Sequence, residues 1–518
     1  MKKLLLVCVL LSSLSALAQE TYMNAQLATE DLNGTARYVG MGGAMEALGG
    51  DLSTIATNPA GIGLFRSSQA KVSFGLISQE NAADFNNADK THLTFDQVGF
   101  VYSMSTNRNS FLNLAFNYRK SRDFNQILTA ANVLSNASQN ALTYNKGLNG
   151  LLFDSNNNST NLYNQLDFLY WENFIKSTSD NGEESYGYNV ASDFAFGRHN
   201  TGYIGEYDFN ISGNIKDRVY LGLTFGIHDV HYNSSTSYME NLLSSTGQSV
   251  GNVQMDDEHC ITGTGYDIKV GVIIRPVEYS PFRIGFSIAT PTWYDLTSSN
   301  VTLFTNRSDF GTSDRINEAF DFRFNTPWKF GLSMGTTVDD YLALGASYEY
   351  ADYSATDNRL YLGSGYDYYS DSYYDDTESD NAMNNHTKRT LKGVHTLKLG
   401  AEFRPDPSLA IRLGYNYVSP MYNKQGERNF NIDSPYAYYA STTDYTNWKA
   451  TNRITAGMGY TLERFTIDVA YQYQSQKGDF YPFANFMPVE EGSATTVIPI
   501  TEVKNNRHQL MMTLGYRF

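Results

Sequence analysis

Fourteen segments of this chain put an apolar residue at every second position. A β-strand sends successive side chains to opposite faces, so each segment has one greasy face and one mixed face. Clear cases are Leu112/Leu114/Phe116/Tyr118, Val219/Leu221/Leu223/Phe225/Ile227 and Phe465/Ile467/Val469/Tyr471/Tyr473, and weaker ones are Val72/Phe74/Leu76, Val98/Phe100/Tyr102 and Tyr207/Phe209/Ile211. The series closes on Leu510, Met512, Leu514, Tyr516 and Phe518. Connections alternate in length: short ones such as 106–109, 215–217 and 462–464 separate long ones such as 78–91, 125–202, 232–263 and 354–394. Six turns and seven loops join fourteen strands, and every long loop falls on one side. This pattern predicts an all-β fold, a transmembrane antiparallel barrel of about 14 strands.

The second face of each strand supports a wet interior. It carries Asn113, Asn117, Arg119, Glu206, Asp208, Lys269, Lys398, Glu402, Arg412, Arg453, Asp468 and Arg517. Charges are costly against lipid and natural in a lumen. A soluble sandwich would reverse the faces.

Residues 1–18 read as a secretory signal: Lys2 and Lys3, an apolar stretch too short to span a bilayer, then Ala16-Leu17-Ala18. Its removal leaves Cys260 as the sole cysteine, so no internal disulfide is expected. The net charge of −16 argues against nucleic acid as a partner. A terminal aromatic on the last strand reads as a signal to the barrel-assembly machinery of an outer membrane of the Gram-negative type.

Residues 19–68 are not strand-like. A helical stretch is interrupted by Gly40-Met41-Gly42-Gly43, and Asp51-Leu52-Ser53-Thr54 leads into Asn58-Pro59-Ala60-Gly61. The proline pushes Asn58 out of the α region, and so small a segment ahead of a barrel predicts a plug, or hatch, within it. No Lys follows the glycines and Met45 spoils a dinucleotide fingerprint, which excludes nucleotide loops. Residues 34–64 resemble the N-terminal hatch of the FadL/TodX outer-membrane transporters of hydrophobic compounds, and Thr326-Pro327-Trp328-Lys329-Phe330-Gly331 resembles a mid-barrel strand of that family. The resemblance implies a hatch (19–68) in a barrel (69–518), capture of a hydrophobic ligand by extracellular loops, and exit sideways into the membrane lipid. It also implies gating by Asp51, Gly42, Gly43 and Asn58 to Gly61. A branch of the same family serves secretion and surface attachment, so a non-transporting scaffold is the alternative.

Other candidates follow from the residues. The largest loop, 125–202, holds two helix-capable stretches, 127–148 and 162–175. The second puts Leu166, Leu169, Tyr170 and Phe174 at helical spacing, as a capture groove or as a small core of its own. His228 and His231 with His259 and Cys260 raise a third function, haem or metal uptake, although histidines three apart on a strand face opposite ways. Asp367, Asp371, Asp375, Asp376 and Asp380 lack calcium-loop spacing. No metal, cofactor or catalytic residue is expected. The alternation slips at Asp96-Gln97, between Leu93/Phe95 and Val98/Phe100, which predicts a bulge and a candidate lateral opening. Pro327 removes a ladder donor at the start of another strand. Passive uptake of a hydrophobic small molecule, such as a long-chain fatty acid, is the expected function.

Overall fold

The computed structural model describes residues 21–518, apart from 108, 136, 161, 180, 309–310, 370, 429–431 and 487–495. The expected leader, 1–18, lies outside the described residues.

Fourteen antiparallel strands close a barrel: β1 (Gln69–Gln79), β2 (Thr91–Asn107), β3 (Ser110–Asp123), β4 (Val190–Ile215), β5 (Val219–Leu243), β6 (Ser249–Ile274) and β7 (Arg283–Ala289), then β8 (Lys329–Val338), β9 (Leu342–Asp352), β10 (Gly393–Asp406), β11 (Leu409–Val418), β12 (Tyr445–Leu462), β13 (Phe465–Tyr481) and β14 (Arg507–Arg517). Closure runs from Gln69 opposite Arg517 to Gln79 opposite Arg507, so the alternating C-terminal strand is the seal of the ring. Each alternating segment read in the sequence lies in one of these strands or at its end. Phe74, Phe100, Phe209, Leu223, Val270, Phe330, Leu399, Ile454 and Leu514 stand exposed outside. Asn113, Arg119, Glu206, Lys269, Glu402, Arg412 and Asp468 are buried inside; Arg517, at the rim, is exposed. Apolar out and polar in is the membrane arrangement.

Three stretches expected as loops are strand. In 232–263 the β5–β6 ladder continues without a break through Tyr232 opposite Ile261 to Leu242 opposite Gly251. In 298–317, another of the long connections, residues 298–306 and 313–317 are strand, in a hairpin of Trp293–Asn306 with Ser313–Asn325 laid on the extended edge of β6. Within 127–148, Gln126–Val133 is a strand paired to β4, and only Gln139–Leu148 is helical. The reason is solvent. On β5 the outward residues are Leu221, Leu223 and Phe225 against lipid, then Asp229, Asn233 and Ser235 above it, while Val230, Tyr232, Tyr238 and Leu242 still point inward and are buried. Once the outer face meets water instead of lipid, the apolar alternation fades although the strand persists.

Candidate functional site

Residues 21–65 lie inside the barrel as four short helical pieces: α1 (Thr21–Leu27), α2 (Ala36–Gly40), and single 3-10 turns at Leu52–Ala56 and Pro59–Leu64. Each of the last three begins on a polar cap. Thr35 accepts from the Tyr38 amide, Asp51 from that of Ser53, and Asn58 from that of Ala60, with Pro59 filling a first position that needs no donor. Gly42 and Gly43 have φ of 63° and 81°, a left-handed reversal that side chains resist.

Glycines in the wall receive this chain. Gly335, Gly345, Gly400 and Gly414 are direct partners across β8, β9, β10 and β11, forming one row around the inside. A Cβ on Gly345 would stand 2.0 Å from the Ala44 carbonyl oxygen, and one on Gly400 2.3 Å from that of Met41. A second seat lies under Asn58-Pro59-Ala60-Gly61. There Gly222 faces Gly271 across β5 and β6, and their Cβ atoms would meet Pro59 at 2.3 Å and Asn58 Oδ1 at 2.0 Å. The Ser212 hydroxyl donates to the Pro59 carbonyl (2.8 Å).

Ion pairs tie the hatch at intervals. Asp51 meets Lys71 (3.1 Å), Arg37 meets Glu402 (2.8 Å), Glu46 meets Lys398 (2.8 Å), and Glu30 bridges Arg119 (2.6 Å) and Lys329. Cutting one partner would strand a buried charge, which is strongly destabilising.

The wall itself has one discontinuity beside the hatch. Ser73 pairs with Gln97 but Phe74 pairs with Phe95, so Asp96 is an extra residue, and Asp96 and Gln97 both point inward, fully buried. The β2–β3 ladder then ends at Gln97 opposite Arg119. Above this level Thr91–Phe95 pair only with β1, and Lys120, Arg122 and Asp123 of β3 only with β4. The hatch occupies the inner side of this seam. The Asp31 amide donates to the Ser121 carbonyl (2.8 Å), and the Asp123 amide donates to the Asp31 carboxylate (2.9 Å). Asn33 Nδ2 donates to both the Lys120 carbonyl (3.0 Å) and Asp96 Oδ1 (3.1 Å). Ser53 donates to Gln97 (3.0 Å). On the outside, Phe95 stacks on Tyr118 at 5.7 Å, with Leu93 exposed alongside. The bulge read at Asp96-Gln97 is therefore present, and it marks the end of a ladder.

Other expected groupings do not form. Leu166, Leu169 and Tyr170 are buried in an extracellular core with Leu134, Phe194, Leu242, Phe304 and Phe480, and Phe174 packs against it. Among the described residues this is the small core that was the second of the two expected readings: the apolar stripe of the helix Gln165–Tyr170 finds its partner in the long strands β4 to β6 and β13. His228 turns inward to Asp267 (3.0 Å), His231 outward to Asp229 (3.0 Å), and His259 binds Ser298 (2.8 Å), while Cys260 sits opposite Asn233. These four do not converge. Glu206, His228 and Asp267 bring ligand atoms within 4.8 Å of one another, yet Lys269 Nζ already lies among the carboxylates, 2.5 Å from Glu206, 3.0 Å from Asp267 and 3.1 Å from Asp208. The acidic stretch forms a hairpin, Asp357–Asp367 with Ser372–Ser379, and Asp380 caps the helix Asn381–Thr390. Asp31, Asn33, Arg122 and Arg507 escaped the sequence reading, and Arg453 was read only as a lumen charge, since only folding gathers them.

No family model and no curated protein matches the chain. Among solved structures, a Pseudomonas aeruginosa FadL homologue matches with a TM-score of 0.50 at 12% identity, over 95% of this chain and 99% of that one. A deltaS2 mutant of the TodX monoaromatic hydrocarbon channel matches at 0.51 and 11% identity, over 94% and 100%. The chain has the FadL fold. With its apolar outer band, a barrel of the FadL fold belongs in an outer membrane of the Gram-negative type. In this FadL-fold chain the N-terminal segment lies against the inner wall in the described residues, and the wall's ladder stops where that segment touches β2 and β3.

Proposed function

We propose that this barrel admits a hydrophobic small molecule from outside the cell and releases it sideways into the outer membrane through the seam between β2 and β3. The observation that carries this reading is the substitution at the seam: hatch atoms of Asp31 and Asn33 stand where β2 would continue its ladder with β3. A hydrogen-bonded barrel wall is closed to a ligand, because each ladder bond broken in hydrocarbon leaves two unpaired groups. Here the barrier is a few replaceable contacts beside lipid-facing Leu93 and Phe95. Asn58-Pro59-Ala60-Gly61, seated on Gly222 and Gly271, serves as the fixed end of the hatch; Glu30 to Asn33 is the part that moves. Diffusion down a gradient supplies the driving force. The solved structures of similar fold, a FadL homologue and a monoaromatic hydrocarbon channel, agree with a hydrophobic cargo.

The test is uptake into liposomes. Thr94→Cys with Lys120→Cys places thiols across the seam, where the Lys120 ammonium touches Thr94 (2.5 Å). Bridging them with a cleavable bis-thiol reagent should cut uptake of a labelled fatty acid or arene at least tenfold, and cleavage should restore it. Unchanged uptake after bridging would remove lateral exit. Flux equal to that of protein-free liposomes would remove transport and favour the scaffold.

A further inference from the structure

The cavity between hatch and upper barrel has a volume of about 280 Å³ and two unlike walls. One is aromatic: Tyr22 stacks on Tyr422 at 5.2 Å and tilts against Tyr445, with Met421 and Trp448 beside them. The other is cationic, formed by Arg122 from β3, Arg453 from β12 and Arg507 from β14. Among the described residues, the acid within ion-pair distance of this trio is Asp31, 3.0 Å from Arg122 and 3.7 Å from Arg453. Their other bonds go mainly to neutral oxygens. Arg453 donates to Gln474 (2.8 Å) and Asn416 (2.9 Å), and Arg507 to Asn505 (3.1 Å) and the Asp123 backbone carbonyl (3.3 Å). Nε of Arg122 is buried without a partner.

An amide oxygen orients a guanidinium and leaves its charge in place. Three such charges lie within Coulomb range of one another, and Arg453 and Arg507 are only 5% and 9% exposed. Asp31 cancels one of them, and Asp123, which also faces Arg507, is shared with Lys120 (3.2 Å) and His92 (3.3 Å). The trio therefore keeps two positive charges in excess, inside a protein whose net charge is −16. Burying like charges together is costly unless a counter-charge joins them. We infer that the cavity binds an amphiphile whose head group carries two negative charges, of the phosphate monoester type, with the head on Arg122, Arg453 and Arg507 and the apolar chain along the tyrosine wall. Guanidinium forks match the oxygens of such a head in pairs. A neutral hydrocarbon leaves the excess uncompensated, and a monocarboxylate cancels half of it. This inference deepens the proposed passage by naming its cargo, and it rests on that reading only for where the ligand goes next.

Binding is measured by calorimetry on the full barrel in a neutral maltoside, with decyl phosphate, decyl sulfate, decanoate, decanol and inorganic phosphate. Decyl phosphate should bind at least tenfold tighter than decanoate at pH 8, and decanol and inorganic phosphate should bind weakly or not at all. Because the second phosphate ionisation falls near ~6, decyl phosphate should lose affinity between pH 8 and pH 5. Decyl sulfate, singly charged throughout, reports any pH effect that comes from the protein rather than from the head group. Arg453→Gln and Arg507→Gln should each remove the preference for phosphate over decanoate by about tenfold, the scale of one charge-assisted hydrogen-bonded group. If either variant fails to fold, the wild-type ranking and pH series still decide. Equal affinity for decyl phosphate and decanol overturns the inference, as does a phosphate preference with the same pH course as decyl sulfate. Inorganic phosphate binding as well as decyl phosphate reduces the site to a simple anion site and overturns the amphiphile. Seam bridging that leaves flux unchanged overturns the lateral passage without touching this ranking.

Discussion

Asn33 Nδ2 lies 3.1 Å from Asp96 Oδ1, and the same amide group reaches the Lys120 carbonyl at 3.0 Å. One hatch side chain thus holds together two strands that at this height share no ladder bond. Asn33→Ala should remove both contacts and weaken the closed seam by ~1–3 kcal/mol, the cost of leaving buried partners unsatisfied. Hydrogen exchange at the amides of residues 30–34 and 120–123 should accelerate, with the remaining barrel unchanged. Protection equal to wild type would show that the Lys120–Thr94 and His92–Asp123 contacts hold the two strands without Asn33.

The glycine row gives a steric prediction. Gly345→Val or Gly400→Val drives a side chain into the hatch backbone, where a Cβ alone stands 2.0 or 2.3 Å from a carbonyl oxygen. Overpacking of this kind costs ~1–3 kcal/mol or more. The hatch should become cleavable by added protease while the barrel keeps its heat-modifiable migration on gels. Gly187→Ala, where no atom lies within 4 Å of the new Cβ, is the matched control and should be silent.

Above the membrane, Glu240 holds the loop helix Gln139–Leu148 by accepting from the Gln139 amide (2.8 Å) and the Tyr238 hydroxyl (2.6 Å). Burial pushes its carboxyl up to about 7, and these hydrogen bonds offset only part of the shift. The folded pKa is raised above the unfolded one, so the contribution is fully present below about 4.5 and is lost as pH rises through about 7. The change amounts to ~3 kcal/mol at most. Amide protection of that helix, corrected for intrinsic exchange, should therefore fall between pH 5 and pH 8. In Glu240→Gln the pH dependence should vanish.

Phe518 separates assembly from stability. Its ring is 67% exposed and touches Tyr516, while its amide bonds the Ser68 carbonyl (3.0 Å). Phe518→Ala should leave the unfolding midpoint of the purified barrel within ~0.5 kcal/mol. If the terminal aromatic is an address for the assembly machinery, the yield of folded protein in cells should still drop several-fold. A stability loss matching the yield loss would remove that role.

The barrel was legible because lipid demands an apolar residue at each outward position, which is every second residue of a strand, and strands from β1 to β14 obey it. The bulge was legible for the same reason: Asp96 shifts the phase between Phe95 and Val98. Above the membrane the demand disappears, which is why β5 and β6 looked like a loop beyond Tyr232. Leu166, Leu169 and Tyr170 left a groove and a core equally open, since helical spacing marks an apolar face and says nothing of whether a ligand or a neighbouring strand covers it. Arg122, Arg453 and Arg507 carried no local signal. They come from three strands; Arg453 looked like one more lumen charge, and nothing singled out Arg122 or Arg507.

The glycine row has a mechanical consequence. Across β8 to β11 the wall bears no inward side chain at that level, so the hatch and the acyl chains of the bilayer are separated by a single thickness of peptide planes. Where the wall carries inward side chains, a cushion of rotamers lies between hatch and bilayer; along this arc only the peptide wall separates the bilayer from Met41 and Ala44.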